Sequence, residues 1–147
     1  MMVGVPLILS ASISGGSPPM QCRSVLVVED DLVLAGIVED GLIQMGYETR
    51  VANNLSTGLD LVEERLPELL ILDLSLPDGR GWTLLHDIRA RYPESDHPQV
   101  LVMSAEISRS DLKANRIGHY IAKPFAVTSL CEMVAELLPI SIDCQPV

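Results

Sequence analysis

The sequence predicts an α/β domain built on a five-stranded parallel sheet, and three observations carry the prediction. From Ser24 onward, short unbroken apolar runs alternate with longer stretches of helical period, the pattern of buried parallel strands covered by helices. Each helical stretch stops at a glycine or a proline, whereas the apolar runs give way to small groups of polar residues. The chain is 48% apolar but only 3% aromatic, so the interior is expected to be packed from Leu, Val, Ile, Ala and Met.

The strands expected are Val25 to Val28, Tyr47 to Ala52, Leu69 to Leu72, Gln99 to Met103 and His119 to Ala122. Between the first two, "DLVLAGIVEDGLIQMG" carries Leu34, Ile37, Val38, Leu42 and Met45 at i, i+3, i+4 spacing and ends at Gly46. That is an amphipathic helix with a glycine stop. "LSTGLDLVEERL" and "GWTLLHDIRARY" repeat the pattern before Pro67 and Pro93, and "TSLCEMVAELL" closes against Pro139. Trp82 opens its helix and is expected to pack there. "ISRSDLKANRIG" is polar and short, and predicts about two turns at most.

A chain of 147 residues suits one core. It divides into a Ser/Gly/Pro-containing leader over 1–22, the domain over 23–139 and a short tail over 140–147. The leader's apolar run, Val3 to Leu9, falls far below the roughly 20 residues of a membrane span. No Lys or Arg precedes it, which argues against a secretory signal. Cys22, Cys131 and Cys144 are odd in number and lack C-x-x-C spacing, so three reduced thiols and a cytoplasmic location are expected. "CQPV" is no prenylation box. The net charge of -10, with 20 acids against 10 scattered Lys and Arg, excludes a nucleic-acid surface and favours a cation or a basic partner. His86, His97 and His119 share no metal-ligand spacing.

The chemistry collects where the strands end: Glu29-Asp30-Asp31, Asp73, Ser104 and Lys123-Pro124. Open α/β sheets bind ligands at that edge, near the point where strand order reverses. Asp30 and Asp73 share one small cation only if their strands are neighbours, about 4.8 Å apart. Strand order 2-1-3-4-5 allows this and 3-2-1-4-5 does not. The second strand ends in "VANN", which offers no charge and suits an edge. Glu29, Asp30 and Asp73 repel one another in a partly buried cleft unless a positive charge sits among them. Oxygen-only ligands point to a hard cation, and so few carboxylates point to Mg²⁺ with retained waters rather than caged Ca²⁺. A carboxylate beside Mg²⁺, a lysine and a hydroxyl is a phosphoryl-acceptor arrangement, with Asp73 as nucleophile.

With "VLVVEDD", "LLILDLSLPDG", "VLVMSAE" and "YIAKPF" in this order on successive strand ends, the chain from about Arg23 to Leu138 resembles the receiver domain of two-component response regulators. The resemblance implies a flavodoxin-like (CheY-like) doubly wound sheet in three α/β/α layers. It implies that Asp73 is phosphorylated by a sensor histidine kinase or a histidine phosphotransfer protein. Asp30, Asp73 and the Ser75 backbone carbonyl would hold Mg²⁺ directly, with Glu29 reaching it through water. Ser104 and Tyr120 would form the switch couple, and Lys123 would pair with a phosphoryl oxygen across a peptide to Pro124 that is commonly cis. Ser75 and Glu106, each two residues past a site residue, would influence the lifetime of the phosphoryl group. The implied function is a single-domain phosphorelay switch that binds a downstream protein effector.

Two departures stand out: the stretch from Ser104 to Lys123 is a few residues short, and "IGHY" precedes the lysine motif where the family carries small and acidic residues. Two other readings use the same residues. A phosphatase with an aspartate nucleophile, of the haloacid dehalogenase kind, wants a second aspartate two residues on, where this chain has Ser75. A receiver that is never phosphorylated sits poorly with the intact acids, Ser104 and Lys123.

Overall fold

The computed structural model describes residues 23–140. The expectations for the leader, for Cys22 and Cys144 and for the last seven residues lie outside them. Five strands, β1 (Ser24–Val28), β2 (Glu48–Ala52), β3 (Leu69–Asp73), β4 (Gln99–Ser104) and β5 (Tyr120–Ala122), form one sheet in the order 2-1-3-4-5. Every pairing in it is parallel. The helices are α1 (Leu32–Gln44), α2 (Leu55–Glu64), α3 (Trp82–Arg91), α4 (Arg109–Ala114) and α5 (Val127–Leu137). Among the described residues, no helix is long and apolar enough to cross a membrane.

The period of two in β1 and β3 divides the core. Leu26, Val28, Leu70 and Leu72 join Val62, Leu84, Leu85, Ile88 and Leu112 from α2, α3 and α4. Val25, Val27, Leu69 and Ile71 join Val38, Leu42, Leu130 and Val134 from α1 and α5. Successive strand side chains point to opposite faces, so an unbroken apolar run is what a strand covered on both sides requires. All eight strand residues are fully buried, each stabilising the fold by on the order of 2 kcal/mol as an upper bound.

Departures from the sequence expectations are local. β1 starts one residue early at Ser24, while β3 and β4 each extend one residue to include Asp73 and Ser104, so both site residues sit on the rigid ladder. Tyr47 precedes β2 instead of opening it, because its N–H is held by the Leu42 carbonyl at the end of α1, while its hydroxyl donates to the Leu138 carbonyl at 2.6 Å. β5 begins at Tyr120, although the His119 carbonyl still accepts the Val102 N–H. On α1, Ile37 is 49% exposed and Ala35 takes the core position. Gly46, with φ of 102°, stops that helix as expected. Trp82 is buried at the head of α3, and α4 has six residues.

Candidate functional site

Three adjacent acids after β1 have three different surroundings. Glu29 is fully buried, Asp30 is exposed, and Asp31 caps α1 by accepting the Val33 and Leu34 N–H groups at 3.0 and 3.1 Å. An N-cap carboxylate satisfies donors that the first helical turn leaves free. The helix-terminus role therefore belongs to Asp31 alone, which leaves Glu29 and Asp30 for the cleft.

Asp73 ends β3, one strand over from Glu29, and is 2% exposed. Its Oδ1 accepts the Ser75 N–H at 3.1 Å, and its Oδ2 accepts the Lys123 ammonium at 3.0 Å. The same ammonium lies 2.6 Å from Glu29 Oε1. That contact is an ion pair, and the other carboxylate oxygen, Oε2, accepts the Asp31 N–H at 3.0 Å. Oxygens of Glu29, Asp30 and Asp73 all fall within 4.8 Å of one another.

The electrostatics follow from burial. The Glu29 carboxyl is pushed up to about 7, chiefly by desolvation with the Asp73 charge adding to it, against the pull of Lys123 and the Asp31 amide. Burial works against the charged form of Lys123, yet its bonds to Glu29 and Asp73 outweigh that and raise its pKa. One ammonium serves a cluster of three carboxylates, which leaves a deficit of positive charge. An all-oxygen cluster with that deficit fits a small hard cation such as Mg²⁺.

Ser104 ends β4 and is 1% exposed; its hydroxyl donates to the Glu106 carbonyl at 3.2 Å and accepts the Glu106 N–H at 3.3 Å. The Lys123 N–H donates to the Ser104 carbonyl, and the peptide between Lys123 and Pro124 is cis. Tyr120 points outward on β5 and is 44% exposed. The structure thus gathers Glu29, Asp30, Asp73 and Lys123 in one cleft. Ser104 sits on the adjoining strand end in its own local turn, and Tyr120 stands apart at the sheet edge. A cavity of about 420 Å³ opens beside the cleft between Asp31, Leu34, Ala105 and the Lys123-Pro124-Phe125 segment.

Two residues of the surroundings escaped the sequence reading. Asn53 donates its side-chain amide to the Glu29 carbonyl at 2.9 Å, and Asp78 accepts the Leu55 and Ser56 N–H groups at 2.8 and 3.1 Å. "NN" ahead of a helix signals an N-cap, and Asn54 fills that role on Thr57. Nothing in the one-dimensional pattern says that Asp78 reaches across to the same turn.

A family model described as response regulator receiver domain matches residues 25–135. Over 120 residues the chain is 33% identical to the transcriptional regulatory protein PcoR of Escherichia coli, covering 79% of this chain and 51% of that protein. It is 31% identical over 116 residues to SilR of Salmonella typhimurium, covering 78% and 50%. The chain spans about half the length of these curated relatives. A CheY-like response regulator receiver domain protein from Methanospirillum hungatei shares the fold, with a TM-score of 0.70 at 24% identity over 79% of this chain and 93% of that one.

Proposed function

Because this chain belongs to the response regulator receiver domain family, we propose that Asp73 accepts a phosphoryl group from the phosphohistidine of a sensor histidine kinase or a phosphotransfer protein. The observation that carries this reading is the placement of Asp73: it ends a central strand, with the Lys123 ammonium on one oxygen and two further carboxylates within 4.8 Å.

Asp30, Asp73 and the Ser75 carbonyl would hold Mg²⁺ directly and Glu29 through water; when bound, the ion neutralises charge on the transferring phosphoryl group. The chain's own residues do the rest. An Asp73 oxygen forms a bond to phosphorus while the phosphorus–nitrogen bond to the donor imidazole breaks, the imidazole nitrogen keeping the electron pair and water supplying the proton that leaves it neutral. The Lys123 ammonium, already 3.0 Å from Asp73 Oδ2, transfers its hydrogen bonds to a phosphoryl oxygen. The Ser104 hydroxyl exchanges its weak bond to the Glu106 carbonyl, 3.2 Å long, for another phosphoryl oxygen. That exchange moves the β4–α4 turn and lets the Tyr120 ring turn inward, changing the surface around β4 and β5. PcoR is named a transcriptional regulator; the acidic balance of this chain favours a protein as its own downstream target.

Incubation with a small acyl-phosphate donor and Mg²⁺, followed by intact-mass measurement, tests the reading. The chain gains one phosphoryl group and Asp73→Asn gains none while keeping its fold. A stable adduct on Asp73→Asn would show that another residue is the acceptor.

A further inference from the structure

We propose that Asp78 and Asn53, working through the β2–α2 turn, are positioning residues that set the spacing of the two loops holding the cation. The inference rests on the phospho-acceptor reading above. The β1–α1 loop carries Glu29 and Asp30, and the β3–α3 loop carries Ser75. Neither loop is tied to the other by a direct hydrogen bond among the described residues. Both are tied to the turn between β2 and α2.

On one side, the Glu29 N–H donates to the Ala52 carbonyl at 2.9 Å and the Asn53 side chain returns a bond to the Glu29 carbonyl, also 2.9 Å. Both peptide groups flanking the buried carboxylate are thereby fixed to the end of β2. On the other side, the Asp78 carboxylate takes the first two free N–H groups of α2, from Leu55 and Ser56. Those two bonds lower the pKa of its carboxyl although it is open to solvent. The Leu55 side chain closes the same junction from below. A Cβ on Gly79, whose φ is +147°, would come 2.8 Å from Leu55 Cδ1. Asp78 stands three residues from Ser75, within a hairpin closed by the pairing of Ser75 with Arg80 and Leu76 with Gly79. A displacement of Asp78 is therefore passed to the Ser75 carbonyl with little to absorb it.

β2 is an edge strand that brings no acid to the cleft. Its end instead acts as a strut between the two loops that flank the clustered Glu29, Asp30 and Asp73 carboxylates, whose mutual repulsion favours opening unless something holds the loops. Partners outside the ligand set fix the geometry of metal sites, and their loss typically weakens metal binding about 10- to 100-fold.

The test is Mg²⁺ titration by calorimetry on the full chain, paired with melting temperature in chelator. Asp78→Ala is expected to raise the Mg²⁺ dissociation constant about tenfold. Asp78→Asn, which keeps one oxygen acceptor, recovers most of that loss and also covers the case in which Asp78→Ala does not fold. Asn53→Ala raises the constant as well, and combining it with Asp78→Ala gives less than the product of the two effects. Asn54→Ala is the control: it removes the neighbouring cap of α2, on Thr57, lowers the melting temperature and leaves the dissociation constant alone. If Asp78→Ala and Asn54→Ala lower the melting temperature alike and both leave Mg²⁺ affinity unchanged, Asp78 is only a helix cap and the inference falls. If the unsubstituted chain binds no Mg²⁺ and takes up no phosphoryl group, the phospho-acceptor reading itself is what fails.

Discussion

Adding a single methyl group at Gly81 should disturb both the stability and the chemistry of this domain. Gly81 leads into α3 with φ of -57° and ψ of -27°, a conformation open to any residue, so backbone strain plays no part. The constraint is space. A Cβ at Gly81 would stand 2.3 Å from the Asp73 carbonyl oxygen and 3.1 Å from both Leu72 Cγ and Leu74 Cα. To reach the 3.0 Å that real Cβ contacts respect, the start of α3 and the end of β3 have to separate by roughly 0.7 Å, in an interior without slack. No rotamer relieves a backbone oxygen. Overpacking of this kind costs about 1–3 kcal/mol. A misplacement approaching 1 Å at a reacting group lowers rate by as much as ~100-fold. Urea unfolding of Gly81→Ala should show a lower midpoint with unchanged slope, and intact-mass time courses should show slower acyl-phosphate formation. Gly36→Ala, on α1 with no atom within 4 Å of the new Cβ, should instead stabilise by about 0.5–1 kcal/mol. An unchanged midpoint in Gly81→Ala would refute the steric argument. A lowered midpoint with an unchanged phosphorylation rate would refute its connection to Asp73.

Two further outcomes follow from the charges in the cleft. The Glu29 pKa is raised from 4.5 to about 7, so the stability it contributes is complete below pH 4.5 and is lost as pH rises through 7. That amounts to about 3 kcal/mol at most, and urea midpoints in chelator should fall between pH 5 and pH 8 with a slope that Glu29→Gln flattens. Lys123→Ala removes the one ammonium from two buried carboxylates and should destabilise the metal-free domain at pH 8 by about 3 kcal/mol. Mg²⁺ should restore part of that loss, while the conformational response to phosphorylation, read by near-UV circular dichroism, should disappear.

The sheet was legible because its physics is one-dimensional. Leu69 to Leu72 reads as a strand covered on both faces, because an apolar run of four between Pro67 and the Pro77-Asp78-Gly79 turn is too short for a buried helix. Strand order was legible through Asp30 and Asp73, because charge placed a constraint on neighbours that periodicity alone does not. Where the reading slipped, periodicity did not carry the deciding contact: the Tyr47 N–H stays with the Leu42 carbonyl at the end of α1, and Ile37 lost its core place to Ala35 because the helix phase is set by what packs beneath it. The cleft's acids were legible as strand ends, but Asn53 and Asp78 were not. Their roles depend on which turn lies beside which, and that is fixed only when β2 docks next to β1.

The same docking explains how the fold tolerates its own site. Glu29, Asp30 and Asp73 with Lys123 leave an excess of two negative charges within 4.8 Å. An unsupported cluster would relieve that repulsion by opening. Here the two central strands cannot separate, because four register pairs from Val25↔Leu69 to Val28↔Leu72 join them and their side chains form both halves of the core. The loops beyond the strand ends lack such a ladder, and these are the parts that Asn53, Asp78 and the Asp31 cap tie down. Protonation relieves what is left, and it falls on Glu29 because that carboxyl is the fully buried member of the three: desolvation raises its pKa and the Asp73 charge adds to it. A divalent cation would carry the missing charge of two. On the phospho-acceptor reading, a cleft underneutralised in this way would take the cation and the phosphoryl group without first rearranging its strands.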